Sequence, residues 1–526
     1  MTRATLSRLP ACLGTGGWLA RAMPLAFRGS LNLGARCSSV ATAIVAHQQY
    51  HAIRARRLCS SSAGGVNPRP QAPPPSVTID NQTYATDSWF NIPPNVLSAT
   101  SRQLHLQQDH PVAITRQILE RVFPKPKFTT YNTHPPVVST YQNFDSLGFP
   151  ADHPGRSKSD TYYISRSTLL RTHTSAHQKQ TFAFSNDASP GYLISADVYR
   201  RDEIDRCHYP VFHQMEGALT WDRRTVAGGD LAGAVWKDLE ALPKHDIHVG
   251  DSNPAFHPKR NPLQIGHHTP SEAEAVAAHL KKSLEAMAVE IITRAREAAV
   301  ASGISPQDAE QEEPLRVRWV EAYFPFTTPS WELEVFYGGD WLEVLGCGVV
   351  KQSLLVDAGT PCRVGWAFGI GLERIAMLLF NIPDIRLFWS RDERFLSQFA
   401  GLSAAVDKAD FSGLRRFQPF SRFPECYKDV SFWLRSVSAA GGNTHGVGAD
   451  DFHENDIMEI VREVAGDDVE DVRLVDEFTH PRTGRKSLCY RVNYRSLERT
   501  MTNEEVNAMH ERVREKLVDR FRVELR

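Results

Sequence analysis

The first 79 residues contain no aspartate, no glutamate and no lysine, although nine arginines are spread among them. A folded surface of ordinary mixed charge is excluded there. Arginines punctuate serine, alanine and apolar residues from Arg3 to Arg57, which reads as an organellar transit peptide over residues 1–62. A basic arm without a targeting role is the plainer alternative. Cleavage falls near Arg56 to Ser61, and "GGVNPRPQAPPPS", within residues 63–79, reads as a stiff extended linker. The remainder carries 51 basic against 61 acidic residues. That excludes a global positive field, so a nucleic-acid partner must be met through a local basic patch. None of the eight cysteines forms a C-x-x-C pair, which argues against a disulfide framework or a cysteine zinc site. No apolar run reaches the roughly 18 residues needed to span a bilayer, so membrane function is excluded. No internal repeat is present.

At 526 residues the chain exceeds what one core organises, and two or more domains are expected. "DHPVAITRQILERVF" places Ile114, Ile118 and Val122 at helical spacing. "SEAEAVAAHLKKSLEAMAVEIITRAREAA" predicts a long helix capped by Ser271 and Glu274. The polar, Gly/Pro-interrupted segment before it, within residues 223–270, reads as a surface excursion without chemistry. Strand signals dominate residues 315–368. A composition break near residues 401–416 divides a part spanning 80–413 from one spanning 414–526. The second part reads "CYKDVSFWL" strand, a glycine-rich loop, a helix with Ile457, Ile460, Val461 and Val464 on one face, and two alternating strands joined by "PRTGRK". A helix opened by a Thr502–Glu505 capping box and a short last strand complete it. That order, β-α-β-β-α-β, is the ferredoxin-like split arrangement.

Four segments carry chemistry. "DVYRRDEIDRCHYPVFHQMEG", residues 197–217, reads as a hairpin. Alternation puts Val198 and Arg200 on one face of the outgoing arm, and Phe212, Gln214 and Glu216 on one face of the return. An arginine suits a phosphate and a carboxylate suits an ammonium group, so the hairpin can hold an amino acid beside a nucleotide; a charged surface hairpin is the alternative. In "TLLRTHTSAHQ", His173 and His177 stand four apart as a helical metal pair would. With no H-E-x-x-H and no further ligand nearby, a hydrogen-bonding cluster of Ser175, His177 and Gln178 is the reading adopted. Phe324 and Phe326, two apart, share a strand face and line an aromatic slot, with "YGGDW" as a hairpin turn. Glu343, in an apolar strand, requires a cation or a hydrogen-bonded partner; core aromatics and a structural glutamate are the alternatives. "GWAFGIGLERIAMLLFNIPDIRLFW" reads strand, glycine turn, helix. Leu372, Ile375, Ala376 and Leu379 face inward and Arg374 faces out towards a phosphate. Its glycines lack the βαβ context of a dinucleotide site.

Taken in order, "FHQMEG", "FPFTTPS", "WLEVLGCGVV" and the "GWAFGIGLER" segment resemble organellar phenylalanyl-tRNA synthetases, a class II aminoacyl-tRNA synthetase family. The C-terminal part resembles that family's ferredoxin-fold anticodon-binding domain. The resemblance spans residues 85–526 and implies an α+β fold: an antiparallel catalytic sheet flanked by helices, with the anticodon module fused behind it. It implies activation of L-phenylalanine by ATP and Mg²⁺, then transfer to tRNA(Phe), by a monomer in the mitochondrial matrix or additionally in a plastid. It assigns Arg200 to the α-phosphate, Arg374 to the bent triphosphate, and Cys207, His208 and Tyr209 to the ATP loop. Gln214 and Glu216 touch the substrate amine, with Met215 between them and His173 across. Ser175, Ala176, His177 and Gln178 form the substrate-binding stretch. Phe324 and Phe326 touch the substrate ring and Ala367 floors its pocket. Glu343 is the nucleotide- or magnesium-associated carboxylate, and Phe368 borders the site. Cys207 has no rationale in this scheme.

Two other classes stay open on the residues alone: a different class II-type adenylating enzyme, and a non-catalytic RNA-binding relative. Arg482, Arg485, Lys486, Arg491, Arg495 and Arg499 read either as a tRNA patch or as solvated strand faces. No third, editing domain is evident.

Overall fold

The computed structural model describes residues 73–245, 247–312, 316–337, 340–419, 423–434 and 452–526. The predicted transit peptide, the linker up to residue 72, the turn glycines Gly338 and Gly339, and the glycine-rich connection at 435–451 lie outside the described residues.

The linker ends sooner than predicted. Its last residues form β1 (Ser76–Ile79), which pairs with β2 (Gln82–Ala85) across Asp80 and Asn81, both at positive φ. β-branched residues flanking an Asp-Asn turn are strong hairpin chemistry, and Ile79 is buried in the main core.

The strands that follow are β3 (Phe128–Tyr131), β4 (Val137–Ser139), β5 (Tyr163–Ser165), β6 (Thr168–Leu170), β7 (Gly191–Tyr199), β8 (Val211–Asp222), β9 (His248–Gly250), β10 (Arg316–Glu321), β11 (Thr327–Tyr337), β12 (Asp340–Val350) and β13 (Arg363–Gly371). Eight of them form the central sheet in the order β3-β7-β8-β13-β12-β11-β10-β9. It is antiparallel except at its edges, where β3 lies parallel to β7 and β9 parallel to β10. Strands β4, β6 and β5 form a small separate sheet, and the short helix α2 (Gln178–Phe184) follows it in the chain.

One face of the central sheet is packed by α1 (Pro111–Val122), the long α4 (Pro270–Ala301) and α5 (Leu372–Phe380). Ile114 and Ile118 of α1, and Leu372, Ile375, Ala376 and Leu379 of α5, are buried as their spacing predicts. The cap of α4 differs from the prediction: Thr269 and Glu272 make the reciprocal capping box around Pro270 at the first helical position. Proline pre-sets the φ of that position and needs no N–H there, so the helix starts earlier than Ser271. The presumed surface excursion is also structured. Its α3 (Leu231–Glu240) buries Leu231 and Val235 against α4, and β9 completes the sheet edge. Two buried side chains in ten residues were too few to give a legible helical period.

The C-terminal part contains β14 (Cys426–Trp433), α6 (Glu454–Ala465), β15 (Val469–Thr479), β16 (Lys486–Tyr494), α7 (Asn503–Phe521) and β17 (Glu524–Leu525). Its antiparallel sheet runs β15-β16-β14-β17, the order that a split β-α-β-β-α-β chain produces. The Thr502–Glu505 box caps α7, and Val506, Met509, Val513 and Leu517 face a second core. The two cores exchange residues at their border. Leu414 and Phe417 still pack in the first core, and Ile204, from the loop between β7 and β8, is buried in the second. Arg386 spans the border with hydrogen bonds to the carbonyls of Asp467, Val469 and Arg495. No helix of the described residues is long and apolar enough to cross a membrane.

Candidate functional site

The open face of the central sheet is nearly bare in its middle. In register across β8, β13 and β12, Glu216 stands beside Gly369 and Gly346, while Ala218 stands beside Ala367 and Gly348. A Cβ on Gly346 would lie 2.5 Å from the Phe324 ring, and one on Gly348 would lie 2.6 Å from the Pro329 carbonyl. Glycine is needed at both positions because an aromatic ring and a backbone segment approach the strand directly. The space left over is a pocket lined by Ser175, Gln178, Gln214, Glu216, Phe324, Phe326, Thr327 and Ala367 among others.

Phe324 and Phe326 form one wall, with ring centroids 6.1 Å apart. They reach it differently from the prediction. They sit not on a strand face but in the tight turn between β10 and β11, closed by the bridge between Phe324 and Thr327. His173 backs this wall, its ring stacked 5.6 Å from Phe149 and 6.3 Å from Phe326. Burial, reinforced by nearby Arg200, pulls its pKa down to about 3, so it is a neutral aromatic spacer.

Glu216 lies at the pocket's polar end and is 2% exposed. Its carboxylate accepts hydrogen bonds from the hydroxyls of Ser175, Thr174 (3.3 Å) and Tyr192 (3.1 Å). Burial raises its pKa; these neutral donors and Gln178 hold it down. None of the ion pairs among the described residues includes Glu216, so this buried carboxylate is solvated by dipoles and lacks a cation. Gln214 is oriented by the Thr174 N–H, 3.1 Å from its Oε1.

The positive end of the groove follows from the hairpin. Arg200 emerges just past β7, its guanidinium 5.4 Å from the Phe212 ring and its Nε donating to the Thr172 carbonyl at 2.7 Å. Burial lowers its pKa to about 10, against the opposing pull of Asp202, Glu343 and Asp160. Arg374 protrudes from α5 between buried neighbours, and its Nη1 donates to the Glu343 carbonyl at 3.1 Å. Burial, with Glu332 next in weight, pushes the Glu343 carboxyl up to about 7 despite Arg374 and Arg200. Its Oε1 is buried and has no hydrogen-bond partner.

Other predicted site residues are placed elsewhere. Met215 points to the opposite face of β8 and is wholly buried in the main core, as strict alternation from Gln214 and Glu216 requires. Ala176 packs with Val138, Phe144, Tyr163 and Leu169. His177 stacks on His134 at 4.2 Å and meets Arg171 at 3.0 Å, where burial and that arginine lower its pKa to about 2. It orders the turn instead of facing the pocket, and it does not pair with His173. The Phe368 ring lies on the core side, stacked on Phe123 and close against Gly217, so only its backbone borders the pocket. The predicted glycine turn before α5 is absent: β13 runs straight into the helix at Gly371.

In the loop between β7 and β8, Asp205 accepts the N–H groups of Cys207 and His208 and binds His208 Nδ1 at 2.7 Å. Burial would lower the His208 pKa, but Asp205 and Asp202 raise it above its ordinary value. Tyr209 stacks on Trp389 and donates its hydroxyl to Asp467 at 2.8 Å, which commits it to the border with the C-terminal part. That border also contains Arg206 paired with Glu470, and Arg462 bound to the Asp202 and Glu203 carbonyls. Arg495 belongs to it through Glu470. Lys486, Arg491 and Arg499 are each paired with a carboxylate, of Glu477, Asp429 and Glu505.

Sequence reasoning missed Thr174, Tyr192, Thr327 and the glycines of β12 and β13. The glycines had a signal, since "LGCGVV" and "FGIG" place them two apart on one strand face.

Residues 95–248 and 287–399 match the family described as tRNA synthetases class II core domain (F), and residues 421–526 match the ferredoxin-fold anticodon binding domain. The chain is 45% identical over 471 residues to a mitochondrial phenylalanine–tRNA ligase of Saccharomyces cerevisiae, covering 86% of this chain and 95% of that protein. It is 40% identical to the mitochondrial phenylalanine–tRNA ligase of Mus musculus, covering 90% and 95%. Its identity to the chloroplastic/mitochondrial phenylalanine–tRNA ligase of Arabidopsis thaliana is 38%, over 84% and 83%.

Proposed function

Since the chain belongs to the mitochondrial phenylalanine–tRNA ligases, we propose that its central pocket binds L-phenylalanine, with Glu216 on the ammonium group. The enzyme joins phenylalanine to tRNA(Phe) in an ATP-dependent, two-step reaction. The observation that carries the site assignment is the buried carboxylate of Glu216, held by neutral donors and lacking a cation, beside an aromatic slot. A zwitterionic aromatic amino acid satisfies both. Its ammonium neutralises the carboxylate, and its ring lies between Phe324, Phe326 and the Ala367 floor.

The substrate carboxylate then points along the groove to Arg200 and Arg374. Its attack on the α-phosphorus of ATP forms a C–O–P bond and expels pyrophosphate. Charge builds on the phosphoryl oxygens, and preorganised guanidinium groups stabilise it without a protein nucleophile. Arg200 takes the α-phosphate and Arg374 the folded-back triphosphate, with His208, the backbone of Phe368 and the loop through Cys207 and Tyr209 closing the nucleotide side. A Mg²⁺ ion fits at Glu343, whose buried oxygen lacks a partner and whose neighbour Glu332 adds negative charge. When bound, the ion offsets phosphate charge. In the second step a ribose hydroxyl of the terminal tRNA adenosine displaces AMP from the acyl carbon.

The catalytic part ends just after Phe417, the last fully buried member of the first core, and the C-terminal part binds the anticodon. We propose further that the enzyme acts as a monomer, with the catalytic and anticodon-binding parts joined on one chain. The acid-free leader directs it to the mitochondrial matrix.

Amino-acid-dependent ATP–pyrophosphate exchange tests the reading. Phenylalanine is expected to support the fastest exchange, with tyrosine lower by about a hundredfold, because an apolar pocket rejects an added hydroxyl only weakly. Fastest exchange with a non-aromatic amino acid overturns the assignment.

A further inference from the structure

β15 and β16 extend past the helices that cover the rest of their sheet. Val469, Glu470 and Val472 are buried, whereas all residues from Arg473 to Thr479 are exposed on both faces of β15. The first residues of β15 are tied to the catalytic part: the Val469 carbonyl accepts from Arg386, and the Val472 N–H donates to Ile204. At about 3.3 Å per residue, the exposed stretch projects roughly 20 Å beyond that anchorage.

An aromatic cluster sits at its far end, on the sheet face turned away from α6 and α7. Trp433, Ser487 and Phe478 stand in one row across β14, β16 and β15. The small serine lets the two rings close over it, 6.0 Å apart, and it is only 3% exposed on an otherwise open face. His480 joins them at 6.2 and 6.4 Å. The guanidinium carbons of Arg485 and Arg526 lie 5.4 and 5.7 Å from the Trp433 ring. Arg485 also pairs with Glu524, and because that carboxylate is well exposed the guanidinium can change partner at little cost. The charge and aromatic character together fit a polyanion with flat, unpaired rings, not a purely apolar partner.

We propose that unpaired tRNA bases stack on Trp433 and Phe478 at this distal end of the sheet, while Arg485 and Arg526 take the flanking phosphates. This rests on the anticodon-binding reading of the C-terminal part, and it adds the face and the mode of contact. Every base has a π-face to offer such a platform, and guanidinium groups serve both rings and phosphates.

Full-length Trp433→Ala, Phe478→Ala and Trp433→Phe enzymes test this in tRNA aminoacylation and pyrophosphate exchange, together with binding of the isolated anticodon stem-loop RNA and of a duplex of equal length. Each alanine variant is expected to raise the tRNA KM by about five- to a hundredfold, out of proportion to any change in exchange. Trp433→Phe is expected to recover most of it, and wild type to prefer the stem-loop over the duplex. An unchanged tRNA KM in both alanine variants overturns the inference and leaves the ligase reading intact. So does equal binding of stem-loop and duplex. A wild-type enzyme that exchanges pyrophosphate with phenylalanine but never charges tRNA overturns the parent reading as well.

Discussion

The two ends of the catalytic groove share one sheet face and solve opposite problems. At the amino-acid end, the sheet is stripped to glycine and alanine, and a single carboxylate is dissolved in hydroxyl and amide dipoles. At the nucleotide end, arginines and glutamates already crowd one another, and Glu343 is left half-compensated. The first is a shaped hole whose one charge awaits its partner. The second is an electrostatic cradle whose charges partly offset each other until phosphate arrives. Damage at the first should therefore appear in substrate affinity, and damage at the second in the rate of chemistry.

The sharpest way to break that contrast is at the cradle. Arg374→Ala removes a guanidinium aimed at charge that develops during reaction, so exchange kcat is expected to fall by about 10²–10³, with the phenylalanine KM nearly unchanged. A large rise in phenylalanine KM would show that the two ends are not separable.

Glu216→Gln tests the other end. The amide keeps the shape and several hydrogen bonds but loses the charge, and a hydrogen bond to a charged group contributes about 1.5–3 kcal/mol. The phenylalanine KM should rise by one to two orders of magnitude, on the order of that energy. Thermal stability should hold or improve, because a buried uncompensated carboxylate opposes folding. Loss of stability together with affinity would mean that Glu216 holds the fold.

How much of this was legible in the chain depends on whether alternation or a turn sets the side chain's direction. On β8 the period of two placed Gln214 and Glu216 correctly, and the same rule should have turned Met215 away from the site. The α5 stripe and the C-terminal strand order were also readable, because each residue there packs by its own periodicity. Phe324 and Phe326 arrived at the right wall by the wrong route, since a turn closed by Thr327 sets their direction and spacing alone does not encode it. His177 was misdirected because its partners, His134 and Arg171, come from other segments. The helix α3 and strand β9 were hidden because only α4 and β10 give them a face to bury.

A smaller effect separates shape from charge within the amino-acid end. Gly346→Ala puts a methyl where the Phe324 ring now rests, 2.5 Å from its nearest carbon. The ring must shift into the pocket, and an overpacked site typically costs about 1–3 kcal/mol. Phenylalanine exchange should weaken roughly tenfold at the lower part of that range, and Phe324→Leu in the same chain should restore part of it by making room. If the double variant is no better than Gly346→Ala, backbone displacement and not ring collision is responsible.

The smallest effect belongs to the cradle at rest. Glu343 has a folded pKa near 7, above its ordinary 4.5, so the folded protein holds a proton there that the unfolded chain releases. The stability linked to that proton is present in full below about pH 4.5 and is lost as the pH rises through about 7. Thermal melts of the ligand-free enzyme between pH 5 and 8 should show a midpoint that declines by a few degrees from this source. Glu343→Gln should flatten that part of the slope, because the amide is neutral throughout. The carboxylate is thus costly to ionise without phosphate-bound cations nearby, as expected of a group arranged for a partner that comes and goes. Parallel pH profiles for the wild type and Glu343→Gln would mean that water already relieves the charge, and that the nucleotide end is no more poised than the amino-acid end.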